Sequence, residues 1–168
     1  VKHTRNAVVV LATVASIVVV SSVSGCSSSA GTTTTLAGAK QTTLQLERQI
    51  ADFVPSESVT DTQQTQTSKV IYPCLGKSDQ SYWPGSETVS LKAGVKTDQV
   101  LSAIAANWTG KPGWSVFQAT GQDGTNTLDM KAKDGYSFTV AFVDGPQLSI
   151  TALSACFPNA GLAGKSSY

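Results

Sequence analysis

The sequence predicts an α+β fold: an antiparallel sheet, built from a C-terminal meander of about four strands plus one or two further strands, packed on one side by a helix and preceded by an additional N-terminal helix. Three observations predict it. The final third alternates apolar and polar residues with turn residues in each gap, while two earlier stretches carry apolar stripes at helical spacing.

The first stripe is Leu46, Ile50, Phe53 and Val54, with Glu47, Arg48 and Asp52 falling between its members. It ends at Val54-Pro55, because proline disfavours helical geometry in the residue before it. Residues 56–67, with Thr60-Asp61-Thr62-Gln63-Gln64, are polar and read as an exposed connector. Short strands are expected over Ser68 to Tyr72 and Glu87 to Lys92, the second alternating Val89 and Leu91 against Thr88, Ser90 and Lys92. Between them lies a loop carrying Tyr82-Trp83-Pro84-Gly85.

The second stripe is Val100, Leu101, Ile104, Ala105 and Trp108. Thr97 is its expected N-cap, Asp98 favours the positive end of the helix dipole, and Gly110 with Pro112 ends it. Four strands follow. Trp114 and Val116 alternate with Ser115 and Phe117; Leu128 and Met130 with Asp129 and Lys131; Tyr136, Phe138, Val140 and Phe142 mark the third, and Leu148, Ile150 and Ala152 the fourth. The breaks are Gln122-Asp123-Gly124, Lys133-Asp134-Gly135 and Asp144-Gly145-Pro146. A sheet with one apolar face needs a cover, and the Val100/Leu101/Ile104/Trp108 face supplies it.

With 168 residues, 40% of them hydrophobic and 14% charged, the chain fits one small domain with attachments. Its 12 Lys and Arg balance 11 Asp and Glu, so nothing provides the basic footprint of a nucleic-acid binder. Nor does the apolar content suffice for a bundle of membrane spans.

The N-terminus carries an address. Lys2 and Arg5 precede an apolar run from Ala7 to Val20, interrupted only by Thr13 and Ser16. That is signal-peptide length, short of the roughly 20 apolar residues a membrane span needs. Val23-Ser24-Gly25-Cys26 then resembles the lipobox of bacterial lipoproteins, in which small residues fit a peptidase cleft and the cysteine thiol takes a diacylglycerol. The resemblance implies residues 1–25 as a lipoprotein signal peptide and Cys26 as the lipidation site. Acyl chains such as palmitate contribute about 0.8 kcal/mol per buried methylene, so several together hold firmly. Residues 26–40, rich in Ser, Thr, Ala and Gly, read as a flexible tether, 41–160 as one disulfide-stapled domain and 161–168 as a tail.

Cleavage before Cys26 removes His3, the only histidine, and leaves ten basic against eleven acidic residues. Without an imidazole, Ser-His-Asp and Cys-His nucleophiles and histidine-ligated metals are excluded. The remaining cysteines, Cys74 and Cys156, then lie where thiols oxidise and should form one disulfide. Its loop is worth about 4.5 kcal/mol in the chain-entropy model. Because these cysteines follow the first and last expected strands, those strands should lie side by side or nearly so.

The Tyr72-Pro73-Cys74 segment, Trp114 with Asp134-Gly135, and Ser154-Ala155-Cys156-Phe157-Pro158 are together similar to small secreted lipoproteins of mycobacteria and their relatives, in particular the LppA-like group. Val1, read as an alternative start codon, and the Ala, Thr, Ser, Val and Gly richness agree with an actinobacterial source. The resemblance implies location and fold and brings no catalytic residue.

Carboxylates at Asp123, Asp129, Asp134 and Asp144 are candidates for paired acid–base work, but three fall in turns where aspartate caps its own backbone. Gln122 to Asn126 lacks the spaced acidic ligands of a calcium loop, and no metal or cofactor is expected. Ser154 sits in no nucleophile motif. Tyr82 and Trp83 are the candidate contact surface, where a ring stacks on a sugar, lipid or partner. The expectation is a non-catalytic protein bound to the cell membrane through the lipid on Cys26, facing outward and binding an envelope protein, glycan or lipid, with no nucleic-acid partner. A carrier of an apolar ligand and a histidine-free hydrolase using Asp129 or Ser154 are the alternatives. The Thr-rich stretches are candidate O-glycan sites.

Overall fold

A computed structural model describes residues 34–65, 68–121, 124–162 and Ser167, all within one compact unit, Thr32–Tyr168. The expected signal peptide, Cys26 and Asp123 lie outside the described residues. The element order is α1 (Leu36–Ala51), a single 3-10 turn (Ser56–Ser58), β1 (Val59–Gln64), β2 (Tyr72–Cys74), β3 (Lys77–Tyr82), β4 (Pro84–Leu91), α2 (Thr97–Trp108), β5 (Trp114–Thr120), β6 (Asn126–Ala132), β7 (Ser137–Val143), β8 (Gln147–Leu153) and β9 (Phe157–Pro158). This is the α+β class expected.

The meander forms as read. Strands β5 to β8 pair antiparallel in sequence order, and β4 then β1 extend them into a six-stranded sheet of order β1-β4-β8-β7-β6-β5. Pairing of Met130 with Phe138, Val140 with Ile150, and Leu148 with Val89 puts the apolar rows on one face. That face is covered by both helices rather than one. Ile50 and Val54 from the α1 end and Val100, Leu101, Ile104, Ala105 and Trp108 from α2 join the same core as Leu128, Phe138 and Ile150. The opposite face stays open, with Thr139 and Thr151 exposed alongside Phe117, Val143 and Leu153.

α1 begins at Leu36, inside the segment expected as a tether to residue 40 and ten residues before Leu46, where the apolar stripe begins. Thr35 caps it, its side-chain oxygen accepting from the Gly38 N–H at 3.1 Å. The buried residues of α1 are Ala39, Thr43, Glu47 and Ile50. Two are polar and one is alanine, so the inward stripe escapes a count of large apolar residues. α2 starts at Thr97 with Lys96 as its N-cap, so Thr97 is the first helical residue and not the cap.

Residues 59–64, expected as connector, form the edge strand β1 paired to β4. An edge strand with little apolar cover shows no alternation, which hid it. The strand expected over Glu87 to Lys92 starts three residues earlier, at Pro84. The Tyr82-Trp83-Pro84-Gly85 loop is the step from β3 of a small second sheet, order β2-β3-β9, into β4 of the large one. The strand expected over Ser68 to Tyr72 is displaced: β2 begins at Tyr72, the expected end of that strand, and before it Val70 makes an isolated bridge to Ser167.

Cys74 and Cys156 are bonded, with Cα atoms 6.3 Å apart. The strands expected to precede them are not side by side: β2 belongs to the small sheet and β8 to the large one, and Cys156 lies between β8 and a short unexpected strand, β9, which pairs with β3 next to β2. The bridge thus closes the small sheet over a core of Ala39, Ile71, Trp83 and Phe157, to which Leu162 of the expected tail also packs.

Candidate functional site

On the face where α1 crosses the large sheet, two carboxyl groups are buried together. Glu47 of α1 is 0% exposed and Glu87 of β4 is 2% exposed. Glu47 follows Thr43 by four residues on the inward stripe, one turn on. Glu87 shares the inward phase of β4 with Gly85, Val89 and Leu91, which is the strand alternation carried two residues back from Val89.

Gln64, at the end of β1, ties them. Its Nε2 donates to the Leu44 carbonyl at 2.8 Å, to Glu47 Oε2 at 2.9 Å and to Glu87 Oε2 at 3.3 Å. Its Oε1 accepts from Arg48 Nε at 3.1 Å. Glu47 Oε1 has no hydrogen-bond partner among the described residues. It abuts Gly85, where any Cβ would collide with it and lie 2.8 Å from Trp83 Cζ3.

Burial pushes the Glu47 carboxyl up to about 7, and the charge of Glu87 adds to this, against the Gln64 hydrogen bond and Arg48. Burial also raises Glu87, with Arg48 opposing and Asp52 reinforcing. Near neutrality Glu47 is therefore protonated for part of the time, chiefly because burial disfavours its charged form and secondarily because Glu87 lies beside it.

A groove of about 630 Å³ opens beside them, lined by Arg48, Asp52, Asp61, Thr62 and Glu87 over Val59 and Val89. Glu87 reaches its wall, whereas Glu47 lies behind and is not among the lining residues. Glu47 touches no accessible space, so its proton has no route to a ligand in the groove. The arrangement joins β1, β4 and α1 through one amide.

Trp83 is not a contact surface: its ring is 0% exposed in the smaller core. Its Nε1 donates to the Ser68 carbonyl at 3.0 Å, and the Lys40 ammonium lies 5.2 Å from the ring centroid. Tyr82 is half-buried and stacks on the exposed Tyr72, ring centroids 5.6 Å apart. Pro84 and Gly85 suggested a turn, but the chain passes through them extended.

Ser154 and Asp129 are engaged separately. Ser154 Oγ accepts from the Trp83 N–H at 2.8 Å and donates to the Ala155 carbonyl at 2.9 Å. Asp129 Oδ1 accepts from Thr139 Oγ1 at 2.8 Å. Asp134 and Asp144 are exposed at turns, and Asp144 has φ 47°, a conformation aspartate tolerates. Among the described residues no group of three metal-ligating side chains comes together, and no helix is long and apolar enough to cross a membrane. The carboxyl pair was not anticipated. The strand alternation read backward to Glu87, and the four-residue step from Thr43 to Glu47, were the signals for it.

No protein-family model matches the chain, and no curated protein does. Among solved structures, a DUF4853 family protein from Actinomyces odontolyticus, an actinobacterium, is a distant neighbour. It is 14% identical, over 71% of this chain and 72% of that one, with a TM-score of 0.37.

Proposed function

We propose that this is a lipid-anchored protein of a bacterial cell envelope, held on the outer face of the cell membrane through Cys26, whose domain is non-catalytic and binds another envelope component. The observation that carries the reading is the Cys74–Cys156 disulfide, set beside a third cysteine that follows an apolar leader and small residues. A structural disulfide is favoured on the oxidising side of a membrane. The motifs similar to the LppA-like lipoproteins agree with this.

The binding role, in preference to catalysis, is supported by where the reactive side chains are spent. Ser154 holds the Trp83 backbone, Asp129 holds Thr139, and Glu47 is enclosed. A domain on a tether gains by local concentration, which suits a binding partner within the envelope.

The test is intact-mass analysis of the protein extracted from membranes of its native host. The expected species begins at Cys26 with acyl groups attached, and Cys26→Ala abolishes both the added mass and membrane retention. An unmodified N-terminus, or the leader still present, overturns the anchor. Ester or glycan hydrolysis by the purified protein that disappears in Ser154→Ala or Asp129→Asn overturns the non-catalytic half.

A further inference from the structure

We infer that β5 is a pairing edge, along which two copies of the chain join antiparallel with Phe117 of each copy at the two-fold axis, making one continuous sheet. This is independent of the lipid anchor. β5 is the outer strand of the large sheet. The turns at its two ends decide which backbone groups face outward. The Lys133 N–H donates to the Gly113 carbonyl and the Gly121 N–H to the Thr125 carbonyl, each at 2.8 Å. In an antiparallel ladder residues alternate, so Ser115, Phe117 and Ala119 exchange bonds with β6 while Trp114, Val116, Gln118 and Thr120 present theirs away from it. The Trp114 N–H is taken by the Lys111 carbonyl at 3.1 Å. Among the described residues those of Val116, Gln118 and Thr120 have no acceptor.

The opposite edge is closed. The register of β1 shifts between Val59 and Asp61, and the outward N–H of Thr62 is taken by Asp61 Oδ1 at 2.9 Å. A bulge and an edge charge both block strand addition. β5 has neither: its register with β6 is unbroken from Trp114 to Thr120, and its sequence Trp-Ser-Val-Phe-Gln-Ala-Thr holds no charge and no proline.

A second copy fits this edge because the strand is complementary to itself. Centred on Phe117, the pairing sets Val116 opposite Gln118 and Trp114 opposite Thr120 of the second copy, and each such pair has outward groups on both sides. No like charges meet, since the strand has none. Phe117 falls at a non-hydrogen-bonded position, where Cα atoms approach to about 4.5 Å and side chains are closest. It is 58% exposed on the open sheet face, so pairing covers an aromatic ring that the single copy leaves in water.

Sedimentation and native mass spectrometry of the full chain in mild detergent test this. The expected result is a dimer. Gln118→Pro, which removes an outward N–H and no ladder bond within the copy, should give a folded monomer whose melting temperature no longer rises with protein concentration, as the native dimer's should. Phe117→Lys should do the same by placing like charges at the axis. Phe117→Cys should cross-link copies under mild oxidation, while Val143→Cys, exposed on the same face at the far end of β7, should not. A chain monomeric at every concentration overturns the inference, as does a dimer that survives both Gln118→Pro and Phe117→Lys. So does a monomer that instead takes up an extended peptide along β5.

Discussion

A carboxyl that keeps its proton near neutrality makes stability depend on pH. The folded-state value for Glu47, about 7, lies above its ordinary value of 4.5, so its contribution is fully present below about pH 4.5 and is lost as pH rises through 7. Stability should fall between pH 5 and pH 8 by no more than about 3 kcal/mol, at about 1.4 kcal/mol per unit. Glu47→Gln, which cannot ionise, should flatten that slope and exceed the native chain at pH 8, as read from urea midpoints at both pH values. Ser154 poses a different constraint, since its hydroxyl is the acceptor for a buried N–H at Trp83. Ser154→Ala should cost about 1–3 kcal/mol by leaving that donor unpaired. Thermal melting checks it, and the larger loss should come with a change in Trp83 fluorescence.

α2 was legible because its inward residues are large and apolar at helical spacing. Val100, Leu101, Ile104 and Trp108 are all buried, as that spacing requires. Ile104→Ala should therefore cost about 2–5 kcal/mol, the range for a fully buried aliphatic truncated in a packed core, measured by chemical denaturation. α1 was legible only in its second half. Its first two turns use Ala39 and Thr43 against the sheet, small or polar residues that serve because Trp83 fills the space beneath them. The four C-terminal strands were readable from alternation bounded by Asp-Gly turns. β1 was not, because Gln64 contributes by hydrogen bonding to two carboxyls and not by burying apolar surface.

The two sheets meet at Trp83, and the disulfide closes the smaller one at its margin. The bridge spans a sequence separation of 82 residues, so its removal should release much of the about 4.5 kcal/mol that loop closure implies, less any residual order in the reduced chain. The Cys74→Ser/Cys156→Ser double variant is expected to melt at a clearly lower temperature. Amide exchange should rise first in β2, β3 and β9, while the β6–β8 ladder stays protected, because only the small sheet is held by that link.

The sequence by itself determined the fold class, the meander, α2 and the cysteine pairing. Each is written in local periodicity, or in a choice so narrow that compartment chemistry makes it. Tertiary structure alone decided that Trp83 lies inside, that Gln64 joins two buried carboxyls, and that β5 has an open edge where β1 has a blocked one. Those outcomes depend on which distant segment occupies the neighbouring space. Trp83 is buried because α1 and β9 arrive over it, and the Glu47 carboxyl is held high because the packing of α1 on the sheet takes it out of water, with the charge of Glu87, brought from another element, adding to that burial.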